Sequence, residues 1–111
     1  MQRKAFLKKN EITAIECLKK ELSSRFNLID LRIFGSKVRG EDTPESDIDV
    51  MIELAETSPE IESQIYDIIF EINLKNDSFI SVIIFSKNEI EEGPLSESPI
   101  YKTIQKEGVP V

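Results

Sequence analysis

A chain of 111 residues with 40% hydrophobic side chains can build one hydrophobic core without staples and has no material for a second, so a single domain over residues 1–111 is expected. Its 14 Lys and Arg against 21 Asp and Glu leave a formal net charge of -7, which argues against a stand-alone nucleic-acid binder, because that binding relies on neutralising phosphates, and points to a protein partner, a basic one. The absence of His excludes histidine bases, Ser-His-Asp triads and histidine zinc ligands, the lone Cys17 excludes an intramolecular disulfide, and with no secretory leader and no apolar run of membrane-spanning length a cytoplasmic location is expected.

Residues 1–10 are basic and read as a frayed start, with Asn10 as the N-cap of a helix whose Ile12, Ile15, Leu18, Leu22 and Phe26 recur at helical spacing. Leu28 to Phe34 reads as a strand, followed by a sharp loop over Gly35 to Gly40 and a polar stretch, Glu41 to Glu45, before a second strand at Ser46 to Leu54. The two strands form a hairpin with a long loop. Ser58-Pro59 supplies an N-cap and first-turn proline for a helix with Ile61, Ile65, Ile68, Ile69 and Ile72 on one face, ending near Asn76. Phe79 to Phe85 is a third strand, and Ser86 with Glu89 forms a capping box for a short helix that should stop at Gly93-Pro94. A last helix starts at Ser98-Pro99 and stops at Gly108. The element order predicts an α/β (α+β) fold, a mixed sheet of three or slightly more strands flanked by helices.

The second strand raises the chemical question. Its side chains alternate between faces, so Ile48, Val50 and Ile52 share one face while Asp47, Asp49 and Met51 share the other. The two carboxylates then sit together, about 7 Å apart at their Cα atoms, and repel unless a cation lies between them. Upstream, Gly35 permits close backbone approach, Ser36 offers a hydroxyl and an N–H, and Arg39 brings a fork of donors suited to phosphate oxygens. Such a loop can cradle a polyphosphate, and Asp47 and Asp49 can hold Mg²⁺, which takes a few carboxylates together with the oxygens of a bound triphosphate.

Gly35-Ser36-x-x-Arg39-Gly40 followed by Ser46-Asp47-Ile48-Asp49-Val50 resembles the signature of the DNA polymerase β-like nucleotidyltransferases, and the short chain resembles the minimal members of that superfamily. The resemblance implies the nucleotidyltransferase fold, with Gly35 and Ser36 on the nucleotide phosphates and Asp47 and Asp49 as catalytic, Mg²⁺-binding residues. It further implies ATP as the nucleoside triphosphate, and AMP transfer to a tyrosine of a small helical HEPN protein, the chain serving as antitoxin of a toxin-antitoxin pair. The family's third carboxylate, on a later strand, aligns with Ser81 in "FISVIIF", and Asp77 is the nearest acid but precedes that strand. A neutral serine is a poor Mg²⁺ ligand, so the alternative reading is a weak or inactive nucleotide-binding subunit that neutralises a partner by complex formation. Transfer to a small molecule is disfavoured because no second domain builds an acceptor pocket.

Other residues have blander readings. Lys37 is expected to be solvated, Ser46 to turn the strand entry, Cys17 to pack beside the first helix, and Tyr66, Phe70 and Tyr101 to pack in the core or on a partner. The run "NEIEEG" reads as an exposed helix face. Apolar surface for a partner or an oligomer is expected on the last two helices.

Overall fold

The computed structural model describes residues 6–41, 46–91, 93 and 97–111. In chain order the elements are α1 (Lys9–Arg25), β1 (Leu28–Phe34), α2 (Ser36–Arg39), β2 (Ile48–Leu54), α3 (Pro59–Asn76), β3 (Ile80–Ser86), α4 (Lys87–Glu91), α5 (Pro99–Glu107) and β4 (Val109–Pro110). The strands make one mixed sheet in the order β3-β2-β1-β4. The expected hairpin is present, since β1 and β2 pair antiparallel, whereas β2 and β3 run parallel and are joined by α3, as a parallel pair requires.

The two faces of the sheet are covered unequally, and this difference makes the site. On the first face Ile48, Val50, Ile52 and Leu54 of β2 pack with Leu31 and Ile33 of β1 against Ala14, Ile15, Leu18 and Leu22 of α1 and Ile65, Ile68, Ile69 and Ile72 of α3. On the second face a smaller cluster joins Met51 and Phe85 to Ile90 of α4 and Ile104 of α5, with Tyr101 edge-on to Phe85 at 5.5 Å between ring centroids. Those short helices cover the middle of the face around Met51. Asp49, one step toward the strand's start, is only partly covered, and Asp47 just before the strand is exposed.

Several local expectations hold. The Ser58 hydroxyl accepts the Ile61 N–H with Pro59 opening the helix, and the Ser86–Glu89 capping box is formed in both directions, at 3.0 and 3.3 Å. Cys17 packs against the main core. Others are corrected. Residues 6–10 are tied down: the Phe6 N–H donates to the Lys37 carbonyl at 2.7 Å, and α1 is capped at Lys8, whose N–H is taken back by Glu11 Oε1 at 2.8 Å. Asn10 lies inside α1, and its amide donates instead to the carbonyls of Asn76 and Asp77, bracing the end of α3. Ile12 is exposed, off the packed face. The chain after Gly108 adds β4 to β1, with Val109 opposite Ile33. The polar stretch over residues 42–45 and the expected stop at Pro94 lie outside the described residues.

Candidate active site

Each element of the predicted loop has a physical role. Gly35 adopts φ 81° and ψ -152°, a combination open essentially to glycine, and its carbonyl then accepts the N–H groups of Val38 and Arg39 at 3.0 and 3.2 Å. The "sharp loop" is thus a one-turn helix, α2, closed by Gly40 in the left-handed conformation. Val38 anchors this turn in the main core, which leaves Ser36 partly exposed and Arg39 exposed.

The loop and the two-acid strand meet at one point. A Cβ on Gly35 would fall 2.5 Å from Asp49 Oδ2, so only a bare Cα lets the carboxylate lie against the loop. Gly35→Ala should therefore displace Asp49 and destabilise the fold by about 1–3 kcal/mol from backbone strain alone. Chemical denaturation checks this, and an alanine variant as stable as the parent would show that the loop relaxes freely.

On the sheet, Asp49 has Phe34 of β1 opposite it on one side and Ser81 of β3 in register on the other. Cross-strand partners share a face, so Ser81 occupies the position beside Asp49 from which a third carboxylate would reach the same ligand. Asp77 does not take that place. It is the C-cap of α3 in the left-handed conformation and borders a different cavity, with Lys8, Asn10 and Phe79, from the one that Asp47 and Ser81 border.

Among the described residues the acid pair is only partly compensated by a cation. Burial and the neighbouring Asp47 push the Asp49 carboxyl above its ordinary value, and the Arg39 guanidinium offsets this only in part. Arg39 is itself held by Glu41 at 2.8 Å and Glu107 at 2.9 Å, so an incoming phosphate would have to compete with two carboxylates for it. The donor set fits Mg²⁺ in kind: hard carboxylate oxygens, two of them, with the remainder left to phosphate and water. Among the described residues no group of three or more His, Cys, Asp or Glu is placed to hold a metal by itself.

Lys37 overturns its expectation. It is 0% exposed, with its ammonium 3.0 Å from Glu11 Oε2 and 3.3 Å from Oε1. The two residues stand 26 apart in sequence, and nothing local in either announced the pair. The pair ties the Gly35–Gly40 turn to the first turn of α1, and the Phe6 ring lies close beside Gly40. Apolar side chains on the surface are also placed differently from expectation. Among the described residues they include Tyr66, Phe70 and Leu74 in a row on α3 and Phe79 beyond it, with Phe6, Ile12 and Ile29 elsewhere, while α4 and α5 expose only Ile100 among the large ones.

Comparison with known proteins identifies the family. The profile of the nucleotidyltransferase domain matches residues 15–110. A candidate protein adenylyltransferase of Methanocaldococcus jannaschii is 38% identical over 74 residues, covering 65% of this chain and 79% of its own. The protein adenylyltransferase MntA of Thermococcus cleftensis is 45% identical over 38 residues, a match that spans 34% of this chain and 38% of that protein. A crystal structure of a candidate nucleotidyltransferase from Sulfolobus solfataricus aligns over 94% of this chain and 87% of its own, with a TM-score of 0.48 and 23% identity. With a glycine-serine loop closing on one of two strand-borne aspartates, and the family profile spanning nearly the whole chain, the protein belongs to the nucleotidyltransferase domain family.

Proposed function

We propose that this chain binds a nucleoside triphosphate, with ATP the expected one, together with Mg²⁺, and transfers its nucleotidyl group to a hydroxyl of a partner protein. The observation that carries the reading is the close approach of Gly35 to the Asp49 carboxylate, which puts the Gly35–Ser36 turn beside one of the two acids. The names of the matched relatives, protein adenylyltransferases, support a protein acceptor. An antitoxin acting on a small helical HEPN-type partner in the cytoplasm fits the acidic chain, in which no described helix is long and apolar enough to cross a membrane.

In this reading Asp47 and Asp49 hold the ion, which when bound would neutralise phosphate charge and acidify the acceptor hydroxyl. The Gly35–Ser36 turn keeps the triphosphate aligned, and Arg39, released from Glu41 or Glu107, adds charge to its oxygens. The acceptor hydroxyl gives up its proton to water as its oxygen bonds to the α-phosphorus and the bond to the β-phosphate breaks, and pyrophosphate leaves in line. Magnesium-dependent pyrophosphate release and a mass gain of one AMP on a co-expressed helical neighbour test this. A neighbour bound tightly but never modified would favour the second reading, a nucleotide-binding subunit that acts by complex formation, which Ser81 and the engaged Arg39 support.

Ser81→Asp separates the two further. With Ser81 in register beside Asp49, a carboxylate there adds a third ligand, and the transfer rate should rise about tenfold if the transition state gains about 1.4 kcal/mol. Tighter Mg²⁺ binding should accompany it in calorimetry. A slower reaction would mean that another residue already completes the site and the new acid adds only repulsion.

A further inference from the structure

We infer that the acceptor polypeptide docks in the groove between α3 and the outer edge of β3, and that its docking segment is basic and apolar. The inference deepens the transfer reading by naming where the acceptor lies and what chemistry it presents. A cavity of ≈ 360 Å³ is lined by Asp47 together with Tyr66, Ile69, Asn73, Phe79 and Val82. A chain lying in it passes beside Asp47.

The length of the apolar surface selects a polypeptide over a small acceptor. Outside the cavity the surface continues along α3 through Phe70, 65% exposed, and Leu74, 69% exposed, in line with Tyr66, 51% exposed. Spaced four residues apart, these three cover about 12 Å of one helix face. The sheet edge takes no full strand there. The outward N–H and C=O of Ile80 are occupied by the side-chain amide of Asn73, at 2.9 and 3.3 Å, and the Ser86 N–H is taken by Glu89 at 3.0 Å. Both ends of the edge are blunted against strand addition, by another protein or by a second copy, so the occupant engages through its side chains.

Charge then selects the partner. Each exposed apolar residue of α3 has an acid one turn before it: Glu62 before Tyr66, Asp67 before Phe70 and Glu71 before Leu74, while Lys75 is the only basic residue of the helix. A stripe of apolar side chains rimmed by carboxylates fits a segment that alternates apolar and basic residues. A second copy of this chain, net -7, would bring acidic rims together.

The test uses a synthetic peptide of leucines and lysines around one tyrosine, and a twin with glutamate in place of lysine. Titrated into the ¹⁵N-labelled protein, the lysine peptide should shift the amides of Tyr66, Phe70, Leu74, Phe79 and Val82, and the glutamate twin should not. With ATP and Mg²⁺ added, its tyrosine should gain the mass of one AMP. Phe70→Asp with Leu74→Asp, both at exposed positions, should weaken peptide binding at least about tenfold and leave nucleotide binding intact. Shifts elsewhere, equal binding of the twin, or self-association of the parent relieved by the double substitution would overturn the proposal. Because peptide binding is read before nucleotide is added, a loss confined to the groove refutes the docking site and leaves the transfer reading standing. Absent nucleotide binding in the parent refutes the transfer reading.

Discussion

Asp47→Asn combined with Asp49→Asn should abolish magnesium-dependent nucleotide binding, a loss of at least about 100-fold, or about 2.7 kcal/mol, while thermal stability at pH 7 stays equal or rises. The two effects have one cause. The Asp47 charge bears on the Asp49 carboxylate and Arg39 offsets it only in part, so a bound cation would relieve a repulsion that the parent otherwise carries. The direction of the pH dependence follows from Asp49, whose native carboxyl is raised above 3.8 by burial and by Asp47. The native state therefore holds that proton more tightly than the unfolded chain does. Its contribution to stability is fully present below 3.8 and is lost as pH rises through the raised native value. The asparagine variant escapes that loss, so its advantage over the parent grows with pH across this window and is flat above it. Calorimetric titration of ATP with and without Mg²⁺, beside melting curves at several pH values, reads both effects. Unchanged binding in the double variant would place the site elsewhere.

Lys37→Met should be among the most destabilising single changes in the chain, by about 3–5 kcal/mol, because it leaves the Glu11 carboxylate buried without its cation. Glu11 is 5% exposed and Lys37 0%, so water cannot take the missing partner's place. Replacing both residues by apolar ones, Lys37→Met with Glu11→Leu, should recover most of the loss, although the Glu11 bond to the Lys8 N–H goes with it. Urea denaturation of the two single variants and the double variant measures the coupling. A single variant within about 1 kcal/mol of the parent would show that the pair is solvated in practice. The pair also links α1 to the turn that carries Gly35 and Ser36.

What could be read in advance, and what could not, divides along a physical line. The order of Asp47 and Asp49 after Gly35-Ser36 disclosed the family, because that signal is local. Capping at Ser58 and Ser86 was equally local. The Glu11–Lys37 pair was hidden because a lysine in a polar loop looks solvated until tertiary packing buries it. Asn10 looked like a cap because Asn favours that position, yet Lys8 with Glu11 serves there and Asn10 is spent on the end of α3. The two-residue strand β4 is too short to show a period. The exposed stripe on α3 was visible as side chains but not as surface, since Tyr66, Phe70 and Leu74 can be told from core positions only once Ile65, Ile68, Ile69 and Ile72 are seen to face the sheet.

The most direct test of the central claim is a crystal structure of the protein with Mg²⁺ and a non-hydrolysable ATP analogue. The account predicts an ion touching carboxylate oxygens of both Asp47 and Asp49, the triphosphate against the Gly35–Ser36 turn, and Ser81 beside the ion without ligating it. A triphosphate bound away from that turn, or an ion that leaves Asp47 and Asp49 untouched, would contradict it.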